Sequence, residues 1–458
     1  MCEICSYHYR IRMNSINRIF NKSFFFTFSI IHLLTFSAKS QEIKSYTLQQ
    51  ALKIACENNK QIKKNKLVTE RSKEFITEAK EFRLPDMDFH TSYSRITNLT
   101  EFESLGLKKH SFTQTIPEMY DITSSIKLPI YEGNKINNLV KKAQQENELD
   151  EIYLKKTIHN IQMQVVIQFL KIYELQEVQK VIKERITEEK ERLKEIKTLY
   201  KNGVLTKNEI LRGELQLADR ELALLTNEKE LKIAKNDFKV LVQLDEKFDF
   251  HIDTSNINEL ITKKSDYTTL LEKTLRNEEI EFVEKEIELT KTQFKLAKAN
   301  YYPKINLFGS YSFKYPNYMF FPPSPYLYSL GQIGIELRYN LSELYKNSTK
   351  MEIAKQSTSI QEANLKIVTD EMKSQIFNAY TQYEEVIDKI LVVKKAVVLA
   401  EENYRIVRVK YSNQLVLMTE MIDADNALLQ TKFNEIALQI NAIYKYYQLL
   451  HIAGIIGE

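Results

Sequence analysis

The clearest pattern in the sequence is an unbroken heptad spacing of apolar residues towards the C-terminus. Apolar side chains recur there in steps of three and four, which keeps one stripe of a helix facing a partner while the two supercoil left-handedly. Residues 342–413 contain neither Gly nor Pro, so the pattern predicts one rod, roughly 100 Å long at about 1.5 Å per residue. The stripe consists of Ile376, Ala379, Tyr383, Val386, Ile390, Val393, Val397, Ala400, Tyr404, Val407 and Tyr411.

The same spacing occurs earlier in the chain, between residues 134 and 202, which also lack Gly and Pro. The two stripes are in phase when Tyr200 is aligned with Tyr411. A repeat at this distance predicts an internal duplication of the architecture. The earlier stripe consists of Ile158, Ile161, Val165, Ile172, Leu175, Ile182, Ile186, Leu193, Ile196 and Tyr200, with Gln168, Gln179 and Glu189 at the remaining positions.

All eight prolines lie in two windows, residues 85–129 and 303–325, where the apolar period changes from 3.5 to 2. Alternation of this kind predicts strands with one apolar and one polar face. We expect four, of roughly 10 to 13 residues, a length typical of transmembrane strands. An ordinary half-buried sheet is the alternative. The apolar positions include Met87, Phe89, Tyr93, Tyr120, Ile122, Ile126, Leu128, Ile130, Ile305, Leu307, Tyr311, Phe313, Ile333, Ile335, Leu337 and Tyr339.

The loops that join these strands are predicted at residues 99–119 and 316–328. The second is rich in aromatic residues, which fits either a girdle at a membrane surface or a loop packed on itself. Four strands cannot close a membrane barrel, because the smallest barrels have eight. The sequence therefore predicts an oligomer, and three copies would supply twelve strands.

Each half of the chain reads as helix, two strands, long helix, turn and closing helix. The predicted organisation is a secretory signal peptide at 1–40, a first repeat at 41–244, a polar linker at 245–266 and a second repeat at 267–458. The leader carries basic residues, an apolar stretch from Phe24 to Phe36 and a small-x-small cleavage site. A start at Met13 would give it a more usual length.

Charge and motifs exclude several classes of function. The 65 basic and 61 acidic residues leave a net charge of +4 without a basic block, so no nucleic-acid partner is expected. Cys2 and Cys5 lie in the leader and only Cys56 follows it, so no intrachain disulfide can form after cleavage. The seven histidines are scattered and no nucleotide or hydrolase motif is present. We expect neither an enzyme nor a cofactor or metal site.

Three segments, in their order within a duplication, resemble the TolC family of outer-membrane efflux proteins. They are residues 46–59 (YTLQQALKIACENN), 128–133 (LPIYEG) and 200–206 (YKNGVLT), which look like the opening helix, a strand-to-helix junction and a periplasmic turn. Two places depart from the pattern. The second junction, residues 339–343 (YNLSE), lacks Pro and Gly, and the second turn has Gln414 where the first has Gly203.

The resemblance implies a mainly α-helical homotrimer whose antiparallel coiled coils form a periplasmic α-barrel below a twelve-stranded β-barrel in the outer membrane of a Gram-negative type envelope. It also implies a passive exit duct of a tripartite efflux or type I secretion system. Its partners would be outer-membrane lipid, a periplasmic adaptor and an inner-membrane pump. The alternative is a non-conducting coiled-coil protein of the envelope, which would need no amphipathic strands of membrane length.

Two candidate sites lie at the predicted periplasmic end. Apolar residues exposed at the turns suggest an adaptor-docking surface, although packing between neighbouring turns would also explain them; the surface comprises Gly203, Val204, Leu205, Thr206, Gln414, Leu415, Val416 and Leu417. The resemblance places an acidic pore constriction at Glu420 and Asp423, near Glu209 and Arg212. Arg212 could pair there with Asp423 of the neighbouring helix and hold the end shut. Ordinary helix-start acids are the alternative.

Overall fold

The structure, a computed structural model, describes residues 44–103, 108–245, 249–254, 266–320 and 322–457. The predicted leader at 1–40 lies outside them. Internal contacts divide the chain into Met1–Ser45 with Lys247–His251, and Tyr46–Glu246 with Ile252–Glu458. The two halves of the chain have a similar order of elements.

The first half comprises β1 (Lys44–Tyr46), α1 (Leu48–Asn58), α2 (Lys60–Glu81), β2 (Asp86–Arg95), β3 (Leu99–Phe102), β4 (Lys109–Thr113), β5 (Glu118–Tyr131), α3 (Lys135–Lys201) and α4 (Lys207–Val242). The second comprises β6 (Phe250–Ile252), α5 (Tyr267–Thr274), α6 (Glu278–Ala299), β7 (Lys304–Tyr315), β8 (Tyr328–Arg338), α7 (Glu343–Ser412) and α8 (Met418–Ile452). Strands β1 and β6 form a small two-stranded sheet.

The two predicted rods are α3 and α7, each of which packs along its closing helix, α4 or α8. The residues predicted for the seams are buried along most of their length, and the centre of the α3 seam is completely enclosed at Val165 and Ile172. Burial ends near the turns, where Tyr200 is exposed and Tyr411 is half-buried. None of the helices in the described part of the chain is long and apolar enough to cross a membrane.

One asparagine contact is repeated in both halves. Asn59 caps the start of α2 and its amide Nδ2 donates to the carbonyl oxygen of Leu241 near the end of α4, at 2.9 Å. Asn277 caps α6 in the same way and donates to the carbonyl oxygen of Ile452 at the end of α8, at 3.0 Å. A buried amide thus ties the start of a short helix to the end of the closing helix, using groups that both helix ends leave unpaired.

The predicted strands are confirmed as β2, β5, β7 and β8, which form an antiparallel sheet in the order β2-β5-β7-β8. The prediction of a loop across residues 99–119 was incomplete, because β3 and β4 pair there as a separate hairpin. These two strands are short and mostly polar, so they carry little of the apolar alternation by which the longer strands were recognised.

The two strand-to-helix junctions differ, as the sequence suggested. At the first, Gly133 and Asn134 both have left-handed backbone conformations, with φ of 62° and 65°. A Cβ on Gly133 would lie 2.6 Å from Cβ of Tyr302, so glycine is required on two counts. At the second, Ser342 has an ordinary right-handed conformation, and the side chain of Asn340 accepts a hydrogen bond from its backbone N–H.

Candidate functional site

The four-stranded sheet has two chemically distinct faces. Cross-strand pairing aligns Met87, Ile126, Gly309 and Ile333 in one row across all four strands. The adjacent row, one residue along each strand, is Asp88, Ser125, Ser310 and Gln332. Because successive side chains of a strand point to opposite faces, the first row lies on an apolar face and the second on a polar one. The apolar face is uncovered, and Ile333 is 81% exposed.

The polar face carries ion pairs between strands. Lys127 Nζ lies 2.8 Å from Glu336 Oε2, and Lys314 Nζ lies 2.9 Å from Asp121 Oδ2. Phe308 is an exception on this face. Its ring covers Gly334, where a Cβ would come within 3.1 Å of it, so the absence of a side chain at that position makes room for the ring.

Three tyrosines form a row on the apolar face close to the strand-connecting loops. Tyr93 pairs with Tyr120, and Tyr120 with Tyr315. Their ring centroids are 5.3 Å and 5.5 Å apart. Tyrosines have an apolar ring and a polar hydroxyl, and a row of them at the border of an apolar face is typical of the interface between a bilayer and water.

At the opposite end of the long helices, the two turns share one geometry. Gly203 and Gln414 both have left-handed backbones, with φ of 77° and 62°. In each turn the next N–H bonds back to a carbonyl five residues earlier, from Val204 to Leu199 at 3.0 Å and from Leu415 to Lys410 at 2.9 Å. Gln414 therefore reproduces the glycine turn, despite the steric cost of a side chain in this conformation.

The predicted docking residues stand at the surface of these turns. Val204 is exposed, Leu415 is 73% exposed and Leu417 is 70% exposed, while Leu205 and Val416 are half-buried. A Cβ on Gly203 would meet no atom within 4 Å. Within one chain, the two turns thus leave apolar side chains uncovered.

The predicted constriction residues occupy the first turns of α4 and α8. Glu420, Asp423 and Arg212 are exposed. Glu209 is half-buried and forms a capping box with Thr206, whose backbone N–H donates to Glu209 Oε2 at 3.1 Å. The hydrogen bond from the Thr206 hydroxyl is the main cause that lowers the pKa of Glu209. This carboxylate already has a structural role at the helix start.

The pairing of Arg212 with Asp423 of the neighbouring helix stays a prediction for the assembly, because a single chain does not test it. Over the described residues these two side chains form no ion pair, whereas Arg220 Nη2 lies 3.0 Å from Asp425 Oδ2. Two residues along a helix correspond to about 200° of rotation at 3.6 residues per turn, so Asp423 and Asp425 point to opposite sides. Asp423 faces outwards, and Asp425 is 1% exposed.

Asp425 belongs to a buried cluster to which all four long helices contribute. Arg185 of α3 donates from Nη1 to Asp425 Oδ1 at 3.4 Å and to Glu188 at 2.8 Å. The Tyr404 hydroxyl of α7 donates to Glu188 at 3.2 Å, and the Arg185 guanidinium lies 5.2 Å from the Tyr404 ring centroid. Together with Arg220 of α4, these contacts fasten one helix pair to the other above the turns.

Burial changes the pKa of two groups in and beside this cluster. It raises the pKa of Glu189, against the opposing effect of the neighbouring Arg192. It also raises the pKa of Tyr404 to about 12, so this hydroxyl remains a hydrogen-bond donor at neutral pH. One signal of the cluster was visible in the sequence, namely the charged Glu189 at a position of the largely apolar α3 seam. Arg185 and Arg220 could not be assigned to Asp425 without the packing of separate helices.

The model of the family described as "Outer membrane efflux protein" matches residues 51–242. No curated protein matches the chain. Among solved structures, CusC is similar at 14% identity, with a TM-score of 0.76 over 90% of this chain and 92% of CusC. The outer membrane protein VceC from Vibrio cholerae is 17% identical, with a TM-score of 0.71 over 89% and 96% of the two chains. The Campylobacter jejuni CmeC outer membrane channel is 13% identical, with a TM-score of 0.74 over 89% and 85%.

Proposed function

We propose that this chain is a member of the outer membrane efflux protein family, whose model matches residues 51–242, that it assembles as a homotrimer and that it forms the passive exit duct of an efflux or secretion system. The observation that carries the proposal is the four-stranded sheet with one uncovered apolar face and one polar face. An apolar face towards lipid and a polar face towards water is the arrangement of transmembrane strands that surround a lumen.

The edges of the sheet support the trimer. Strands β2 and β8 lie at the two ends of the strand order, so each has one side without a partner strand in the chain. Unpaired backbone groups in lipid cost several kcal/mol each, and β2 and β8 of neighbouring copies can satisfy one another. Three copies would contribute twelve strands. We also propose that each chain consists of a first repeat at 41–244, a linker at 245–266 and a second repeat at 267–458.

A coiled-coil envelope protein without conduction is the alternative, and the sheet argues against it. Such a scaffold has no use for strands of ten to fourteen residues with opposite faces. The sequence has no nucleotide-binding motif, so we assign the energy for transport to a partner pump in the inner membrane, reached through a periplasmic adaptor.

Conductance in a planar bilayer tests the duct. Purified protein should run as a trimer that heat converts to a monomer, and it should give discrete single-channel steps when added to a bilayer. A protein that fractionates with the outer membrane as a trimer yet never conducts would contradict the duct and support the scaffold.

We assign adaptor docking to the two turns, because a single chain leaves Val204 and Leu415 in water. Val204→Asp combined with Leu415→Asp should abolish efflux while the amount of trimer stays unchanged. Thr419→Asp, which adds a charge at an exposed polar position of the same tip, should leave efflux intact. Loss of the trimer in the double variant would show instead that the turns pack against each other between subunits.

A further inference from the structure

The loop between β7 and β8, residues 316–327, contains no charged residue. It is fixed by its own backbone. Asn317 and Ser324 exchange two hydrogen bonds, at 2.9 Å and 3.0 Å, and the Asn317 side chain accepts from the N–H of Met319 at 2.9 Å. Four of its residues are prolines, which restrict the backbone further. These contacts hold the described residues, 316–320 and 322–327, in one arrangement, and pre-organisation of this kind reduces the entropic cost of binding.

Its large apolar side chains point into solvent. Phe320 is 67% exposed and Tyr326 is 72% exposed, and Tyr318, Met319 and Leu327 are exposed as well. The loop does not pack on itself at these positions. Several uncovered aromatic and aliphatic side chains on one loop are typical of an interaction surface.

The loop continues directly from the apolar face of the sheet. Tyr315, its neighbour in sequence, ends the row formed with Tyr93 and Tyr120. Asn317, which pairs with Ser324, lies two residues beyond Tyr315, a reach of at most about 7 Å for two extended residues. The headgroup layer of a bilayer adds about 5–8 Å on each side of its hydrocarbon core. If the tyrosine row marks the edge of the hydrocarbon, the loop reaches headgroup depth.

The corresponding hairpin of the first half, β3–β4, has a different chemistry. It carries Glu101, Glu103, Lys108 and Lys109, and Glu103 lies 3.3 Å from Lys108. This hairpin is suited to water. A position at this edge of the sheet therefore does not by itself require an uncharged loop.

We propose that the described residues of this loop, 316–320 and 322–327, bind the surface of the outer leaflet at headgroup depth, so that each subunit carries one aromatic lipid anchor. This rests on the proposed function, because it needs the apolar face to stand in lipid. Aromatic side chains partition into the membrane–water interface, where the ring is shielded and polar atoms remain hydrated. The competing arrangement, in which the loops of three copies gather over the lumen, buries the same residues against protein.

Because the chain has no Trp, one substitution provides a site-specific fluorophore. The experiment uses trimers of Phe320→Trp in vesicles of phospholipid brominated either near the headgroup or deep in the acyl chains, with aqueous iodide as a second quencher. We expect shallow bromine to quench Phe320→Trp more strongly than deep bromine does. Iodide should quench it at least twofold less than it quenches Phe112→Trp, the matched aromatic of the charged hairpin.

Ile333→Trp, at mid-height on the apolar face, separates failure of the anchor from failure of the duct. Quenching of Ile333→Trp by deep bromine with no lipid quenching of Phe320→Trp overturns the anchor alone. Shielding of Phe320→Trp from both quenchers places the loops against protein and overturns it too. Absence of lipid quenching at Ile333→Trp contradicts the membrane sheet itself. Tyr326→Trp repeats the test if Phe320→Trp does not assemble.

Discussion

Two carboxylates near the turns differ in their surroundings although their chemistry is the same. Asp423 and Asp425 are both carboxylates on α8, two positions apart, and only Asp425 is enclosed and held by Arg185 and Arg220. A buried ion pair adds little net stability over apolar packing, but removal of one partner leaves charges that water cannot reach. The cluster is therefore sensitive to loss of any one member.

Asp425→Ala should reduce the free energy of unfolding by about 3 kcal/mol, because two buried guanidinium groups lose their shared carboxylate. Thermal unfolding followed by circular dichroism in detergent measures this as a lower midpoint. Asp423→Ala is the matched control, and as a surface change it should stay within about 0.5 kcal/mol. Equal midpoints for the two variants would mean that Asp425 is not held as the structure indicates.

At the scale of elements, long periodic segments were predictable and local exceptions were not. The rods and the four strands followed from periods of 3.5 and 2, because each period places apolar residues on one side of the element. The β3–β4 hairpin was missed because Leu99–Phe102 and Lys109–Thr113 lack that asymmetry. The left-handed Gln414 was not predictable either, since the surrounding turn imposes a conformation that glutamine disfavours.

The orientation of the sheet leads to a paired test on β8. Ile335 lies on the apolar face and is exposed, and Gln332 lies in the polar row. A lysine on a lipid face costs roughly 2–4 kcal/mol at mid-bilayer, and much less in a lumen. Ile335→Lys should therefore reduce the yield of trimer in outer-membrane fractions, and Gln332→Lys should not. Equal tolerance of both substitutions would contradict a lipid-facing side.

For the whole molecule, three copies would bring together groups that lie far apart on one chain. The fold of a subunit fixes which side chains are uncovered, but contacts between copies are not encoded in any period of the sequence. The candidate constriction illustrates this limit. The resemblance to the TolC family assigned Glu420 and Asp423 to the constriction. In the structure both side chains are exposed to water near the start of α8. Whether they line a pore depends on the assembly and stays a prediction.

That prediction can be tested through cation block. Glu420 and Asp423 are three residues apart and share one side of α8, so threefold symmetry would collect six carboxylates at the periplasmic end, a ring that binds cations and discriminates by charge. Millimolar divalent or trivalent cation on the periplasmic side should lower single-channel conductance in a planar bilayer. The block should disappear in Glu420→Ala/Asp423→Ala and persist in Asp370→Ala/Glu371→Ala, which removes two exposed acids from α7. Unchanged block in the first double variant would mean that these acids do not line the pore and serve only as favourable charges at a helix start.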